Sequence, residues 1–302
     1  MSNCKICVVD DSFPNFKLDK NGICNYCNLH FEMEKDMPND QRGMEIINKK
    51  VKEIKNRNKK NKYDVVVGVS GGRDSTYLLY YAKKILGLRC LAIHLNDGFG
   101  NPVAGKNMEN ATKILNIDFK VLTTDWKLSK DLKKSFLKAC VPDIETPTDI
   151  AIASALYVAC IEYKVKDIFI GQSFRTEGIS PLEWNFLDGA YVKDIQKKYG
   201  TEKIPSWKPN KLCFDLDTKK LFYYVFIKRI KVFTPFYYFD YNRNEVDKLI
   251  YKELSWKNTG AHYYDDLYQT LMFRWYKEKF GIDRRKFNYS ALIRSGQMKK
   301  EV

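Results

Sequence analysis

Val65-Val66-Val67-Gly68-Val69-Ser70-Gly71-Gly72-Arg73-Asp74-Ser75-Thr76 is the stretch on which the reading of this 302-residue chain turns. An apolar run of strand length ends at Val69, two glycines follow, and a helical pattern opens near Ser75. Glycines let backbone N–H groups approach an anion, Ser70 and Ser75 add hydroxyl donors, and the start of a helix adds partial positive charge. Such a turn cradles phosphate. It lacks the Gly-Lys-Ser/Thr ending of the Walker loop and is not a Gly-x-Gly-x-x-Gly fingerprint.

Outward from this turn, strands and helices alternate. The pattern predicts a helix over Ser75–Leu86 stopped by Gly87, a strand over Cys90–Leu95, a helix over Val103–Leu115 and a strand over Phe119–Leu122. Helices over Asp125–Cys140 and Asp149–Tyr163 and a strand over Asp167–Gly171 complete the series. The expected fold is α/β, a Rossmann-like parallel sheet with helices on both faces. Ligands of such sheets lie beyond the carboxyl ends of the strands. That places His94 and Asn96, after the second strand, and Gly171, Gln172 and Glu177, after the fourth, beside the phosphate turn. His94 reads equally well as a packed strand residue.

Before the turn, Ile47, Val51 and Ile54 mark one apolar helical stripe, and residues 49–62 carry seven Lys and one Arg against the single acid Glu53. This reads as a contact for an anionic partner or, more simply, as a solvated helix running into a linker. Beyond Gly178 aromatic residues dominate, among them Trp184, Trp207 and the run Phe222-Tyr223-Tyr224-Val225-Phe226. A mostly helical region is expected there, covering the open edge of the sheet. Its rings are chiefly core, with Trp184 and Trp207 available to stack on a ligand.

Cys4-x-x-Cys7 and Cys24-x-x-Cys27 fit a closed, structural four-thiolate zinc site, with an iron–sulfur cluster or a redox pair as alternatives. Of the other cysteines, Cys90 and Cys160 are expected in the core, and Cys140 and Cys213 could be exposed. The formal charge is +15, and Lys supplies 41 of the 52 basic residues. An anionic ligand follows, but a Lys-rich surface lacks the bidentate Arg forks of a dedicated phosphate reader, so nucleic acid is disfavoured. No signal-peptide pattern opens the chain, and the most apolar stretch, Leu221–Phe239, is broken by Lys228, Arg229 and Lys231. A soluble cytoplasmic protein without membrane contact is the expectation.

The Ser70–Ser75 turn resembles the pyrophosphate (PP) loop, Ser-Gly-Gly-x-Asp-Ser, of the ATP pyrophosphatase superfamily, whose fold is adenine nucleotide alpha-hydrolase-like. Over nearly its whole length the chain is similar to one family, the N-acetyl sugar amidotransferases of lipopolysaccharide and other bacterial surface-glycan biosynthesis. The resemblance has four parts: Cys4-Lys5-Ile6-Cys7-Val8-Val9-Asp10 with Asn21–Cys27; the loop; Thr146-Pro147-Thr148-Asp149 with Gly171–Gly178, Pro181 and Trp184; and Trp256–His262, Lys279–Arg285 and Ser290–Gln297. It implies a Cys4 zinc module over 1–40, a basic helix or linker over 41–62, a PP-loop ATP pyrophosphatase domain over 63–178 and a helical substrate and partner region over 179–302. It further implies ATP, Mg²⁺ and Zn²⁺. Ser70, Gly71, Gly72, Asp74 and Ser75 would hold the β- and γ-phosphates, Asp74 would meet Mg²⁺, and Arg73, Asp74 and Glu177 would serve the chemistry. The implied reaction adenylates an acetamido oxygen of an anionic, in some cases nucleotide-linked, N-acetylated sugar and replaces it with nitrogen. The implied partners are a separate glutaminase subunit and a barrel-type, imidazole glycerol phosphate synthase-like subunit that delivers ammonia. A tRNA-thiolating PP-loop ATPase keeps the loop and changes the substrate. A zinc-bearing adaptor that only senses nucleotide is a third possibility.

Overall fold

In a computed structural model of the chain, residues 3–181, 183–184, 186–260 and 266–300 are described; His262 of the carboxyl-terminal motif lies outside them. The valine run forms β1 (Val65–Gly68), whose side chains alternate between two cores. Val66 faces one core with Leu91 and Ile93, and Val65 and Val67 face the other with Cys90 and Ala92. Both sides of the strand are therefore apolar, as a central parallel strand requires.

β1 pairs in parallel with β2 (Cys90–Asn96) on one side and with β4 (Asp167–Phe169) on the other. β3 (Asp118–Thr123) and β5 (Lys231–Phe233) form the edges, giving the order β3-β2-β1-β4-β5. Order reverses between β1 and β4, so a crevice opens beyond their carboxyl ends.

Helices cover both faces. On the Val65/Val67 side lie α2 (Gln41–Arg57), α3 (Arg73–Tyr80, widening into a π turn over Tyr81–Ile85), α4 (Pro102–Leu115) and α9 (Arg243–Leu254). The Val66 side carries α5 (Trp126–Ala139), α6 (Thr146–Tyr163), α7 (Gly189–Tyr199) and α10 (Leu267–Phe280). Asn101 and Asp125 cap α4 and α5 by accepting from Val103 and Leu128 N–H, each contact contributing about 1 kcal/mol. α1 (Asn25–Asp36) closes the Cys-rich module, α8 (Thr218–Phe222) precedes β5, and α11 (Arg285–Arg294) ends the described fold.

The structure differs from the sequence reading in several places. α3 starts at Arg73 because the extended Gly72 serves as its N-cap. α6 starts at Thr146, since Pro147 fits a first helical turn. The aromatic region is mostly helical as expected, but three of its residues form β5 and extend the sheet beyond β4. Trp184, 6% exposed, is packed among Phe13, Tyr276 and Phe287 and has no free face for a ligand. Cys213 is buried against Ser154, while Cys140 is exposed at the end of α5; Cys90 and Cys160 are core residues as expected.

α2 keeps its basic side solvated, with Lys49 and Lys52 exposed, and anchors the other side. Its stripe of Ile47, Val51 and Ile54 is buried, Lys55 Nζ donates to the Leu86 carbonyl at 2.9 Å, and Arg57 pairs with the buried Asp167 of β4. Asn58 donates to the other Asp167 oxygen at 2.8 Å. Removing Arg57 strands a carboxylate in the core. Arg57→Ala is expected to lower stability by about 2 kcal/mol, read from urea unfolding, whereas Lys59→Ala nearby leaves the midpoint unchanged.

Candidate functional site: the loop after the first strand

Val69 continues β1 by donating to the Ile93 carbonyl at 2.9 Å, and the chain then turns sharply. Gly71 has φ +80°, and a Cβ on it would lie 2.1 Å from the Ala104 carbonyl oxygen, so no other residue fits. Its own carbonyl accepts two hydrogen bonds, from Asn107 Nδ2 and Trp256 Nε1, both at 3.0 Å. Carbonyl and following N–H point opposite ways across a trans peptide. Pulling the Gly71 oxygen toward α4 therefore turns the Gly72 N–H outward, where it meets Ser70 Oγ at 3.4 Å. Ser70 and Ser75 hydroxyls lie 3.0 Å apart, and Ser75 Oγ also accepts from the Ser70 N–H at 3.1 Å. Hydroxyls and amides that satisfy one another in this way exchange readily onto a phosphate at the start of α3.

The cleft beyond the loop is lined by Arg73, Asp74, Thr176, Glu177, Arg243 and Trp256, together with Asn258–Gly260 and Asn288. Asp74 accepts from the Tyr241 hydroxyl. That phenol is held protonated, its pKa driven well above the usual value by burial first and by Asp74 next. Arg73 forms a two-point pair with Asp247 of α9 and lies over the Trp256 ring, so its charge is already engaged. Arg243, which nothing in the sequence marked, brings a second guanidinium. Burial first and the neighbouring Arg73 next lower its pKa.

Gly171 packs against the Asp74 backbone, where a Cβ would meet its carbonyl at 3.2 Å, which keeps the loops after β1 and β4 in contact. Glu177 reaches the cleft because Arg175, buried just before it, is tied to the Met37 carbonyl at 2.7 Å, the Tyr237 carbonyl at 2.8 Å and Glu34 at 3.2 Å. Gln172 and Asn96 are exposed, the Asn96 side chain accepting from the Gly98 N–H. His94 Nδ1 lies 3.0 Å from the Val69 carbonyl; since a carbonyl only accepts, Nδ1 carries the hydrogen. Burial lowers its pKa, so a neutral imidazole buttresses the end of β1.

A second polar group sits beyond β2, marked in the sequence only through Thr148 and Asp149. Buried Lys133 donates to Thr148 at 2.6 Å, pairs with Asp97 at 3.0 Å and faces the Tyr268 ring at 3.8 Å. Around it, Glu145 is pushed up to about 8 by burial against the pull of Lys133, and Asp149 up to about 7 by burial and by Asp143. Polar residues at helical positions that otherwise face a core, Lys133 on α5 and Asn107 on α4, are the signal that could have found such contacts.

In the amino-terminal module all four cysteines are buried and their sulfurs lie within 4.8 Å of one another. Cys4 and Cys27 are 3.8 Å apart and Cys7 and Cys24 3.7 Å. A tetrahedral ion with metal–sulfur bonds of 2.3 Å places its ligands about 3.8 Å apart. The set therefore fits one ion; a cubane, whose thiolates sit on separate irons, needs them wider. Module and carboxyl terminus meet, with Phe13 against Phe287 at 4.8 Å, Val8 N–H on Ser290 and Lys300 Nζ on the Cys4 carbonyl at 2.6 Å.

No family model and no curated protein matches the chain. Solved structures give faint likenesses. The U34-tRNA thiolase of Methanococcus maripaludis, with its 4Fe–4S cluster, is 15% identical over 100% of this chain and 90% of its own, with a TM-score of 0.40. The NH3-dependent NAD synthetase of Campylobacter jejuni is 16% identical over 52% and 72%, with a TM-score of 0.34. The NMN synthetase of Francisella tularensis is 14% identical over 76% and 93%, with a TM-score of 0.32. Likenesses at this level do not bear on function.

Two predictions come from the site. Arg243→Ala is expected to weaken binding of a phosphate-bearing ligand roughly 10- to 100-fold, the worth of a charge-assisted hydrogen bond, and Gly71→Ala to abolish it, both read by calorimetry with ATP as the probe on protein with an unchanged circular dichroism spectrum. Glu145 titrates near 4.5 when unfolded and near 8 when folded, so the folded state holds the extra proton and stability falls as pH rises between those values. Glu145→Gln should flatten that fall in urea melts; an equally steep decline would show that Glu145 is ionised in the fold.

Proposed function

We propose that the chain is an ATP-dependent, AMP-forming enzyme that converts an acetamido group of an N-acetylated sugar to an acetamidino group. One observation carries the ATP reading. At the switch point of a parallel sheet, a glycine turn with a pinned carbonyl, two serine hydroxyls and a helix start stands beside a cleft lined by two arginines and two acids. That surface suits the β- and γ-phosphates of a nucleotide and leaves its α-phosphate toward Glu177 and the loop after β4.

An amide oxygen is a poor leaving group, and adenylation replaces it with a good one. The acetamido oxygen attacks the α-phosphorus, the bond to the bridging oxygen breaks, and pyrophosphate departs onto the loop. Ammonia then attacks the imidate carbon, and AMP leaves with the former acetamido oxygen, giving an amidine and a proton. In this scheme Arg243 and the loop amides offset charge on the departing phosphates, Tyr241 fixes the Asp74 carboxylate, and Glu177 stands where the reacting oxygen enters. Asp74 is the carboxylate that would hold Mg²⁺, which screens phosphate charge when bound. The cysteine cluster would hold one Zn²⁺ in a purely structural role, all four positions being sulfur.

The finer, sugar-directed reading is supported by the four-part resemblance, whose end parts, the module and α11, pack together here. Ammonia is expected from a glutaminase and a barrel-type partner. Thiolation of tRNA has less support: the cleft is lined by no cysteine among the described residues, and Cys213 is buried against Ser154.

The test is pyrophosphate release by the purified chain with ATP, ammonium and a panel of anionic N-acetylated sugars, with metal content measured on the same sample. Expected are sugar-dependent AMP and amidine, unchanged in a Cys140→Ala/Cys213→Ala variant, and about one zinc with no iron. Release that depends on tRNA, or loss of activity in that variant, overturns the amidotransfer reading.

A further inference from the structure

The segment from Thr218 to Thr234 contains five cations and no acid. Lys220 is buried and paired with Asp215 at 2.7 Å, but Lys219, Arg229 and Lys231 are exposed. Between them α8 continues as a π turn to Ile227. One face is anchored: Tyr224 is fully buried, stacks on Tyr157 at 4.7 Å and donates to the Pro209 carbonyl at 2.9 Å. The other face is bare. Phe222, Phe226 and Ile227 are 55%, 65% and 60% exposed, and the Phe222 and Phe226 rings stack on each other at 4.8 Å in the open. The edge strand β5 follows directly with Val232, also exposed. Lys50 of α2, paired with Glu53 at 3.6 Å, sits over the Phe233 ring of β5 at 5.7 Å.

We propose that this face docks on an anionic lipid surface. Bulky apolar side chains that project from a short helix, without hydrogen-bonding tips and with lysines beside them, match an interfacial helix lying in the plane of the headgroups. Charge complementarity selects the occupant. The segment has no acid to meet a basic partner, and its cations are at the level where anionic headgroups would lie while the rings enter the acyl boundary. A protein partner fits less well, because lysine is depleted from protein interfaces and the Trp and Arg anchors of binding hot spots are nearly absent here. Lys228, Arg229 and Lys231 prevent the stretch from crossing a bilayer, and no helix of the described residues is long and apolar enough to do so. The same cations suit it to lie along one. The inference stands apart from the reaction proposed above.

Sedimentation of the full chain with vesicles decides it. The chain should pellet with vesicles of phosphatidylcholine mixed with phosphatidylglycerol, stay in solution with phosphatidylcholine alone, and be released as salt rises. Phe226→Asp/Ile227→Asp should abolish pelleting while leaving the thermal melt and ATP binding unchanged. Lys219→Glu/Arg229→Glu/Lys231→Glu should weaken it on the order of 100-fold. Equal pelleting with neutral vesicles, no pelleting, or binding that survives the Phe226/Ile227 change overturns the proposal. So does a wild-type dimer in the ultracentrifuge that the same double change dissolves, which assigns the face to contact between copies of the chain.

Discussion

Two hydrogen bonds to one carbonyl oxygen hold the site together. The Gly71 oxygen is taken by Asn107 from α4 and by Trp256 from the segment after α9, and the absence of a side chain at Gly71 lets Ala104 approach closely enough for this to happen. With that peptide fixed, the next N–H faces outward, α3 begins at Arg73, and Asp74 falls beside Tyr241. The clamp is reinforced at each end. Asn107 also exchanges hydrogen bonds with the Lys257 backbone, and Gln297 bridges the Tyr241 carbonyl and the Arg243 N–H. An anion site made of backbone amides is only as well ordered as the carbonyls behind them, and here those carbonyls are satisfied before any ligand arrives.

This clamp also marks the boundary of what the sequence discloses. The loop itself was legible because it is local: a valine run, two glycines and serines at fixed spacing state a strand, a turn and a helix start without reference to the rest of the chain. The cysteine module was legible for the same reason. Arg243, Tyr241 and Asn107 were not, because each reaches the loop through tertiary packing from far along the chain, and a tyrosine among aromatic neighbours looks the same whether it fills a core or orients an acid. β5 escaped because a three-residue edge strand inside an aromatic run has no period to read. Trp184 was misjudged in the opposite direction, since an aromatic ring near a supposed pocket is more often core than platform, and here it is core.

The carboxyl-terminal motifs gain a physical meaning from their positions. Trp256 and Gln297 serve the glycine loop and its surroundings; Phe287, Ser290 and Lys300 serve the cysteine module. Arg175 links the two by tying the end of α1 to the loop that carries Glu177, and the Ser295 hydroxyl holds the Arg175 carbonyl at 2.7 Å. The cysteine module thus supports, through Arg175, the loop that carries Glu177 into the cleft.

The most direct test of the account follows one oxygen atom. An N-acetylated sugar that supports turnover, carrying a heavy-oxygen label in its acetamido group, is incubated with ATP and ammonium, and the nucleotide product is analysed by mass spectrometry. Adenylation of the acetamido oxygen predicts one labelled oxygen in AMP and none in pyrophosphate. Unlabelled AMP, or ADP and phosphate in its place, would contradict it.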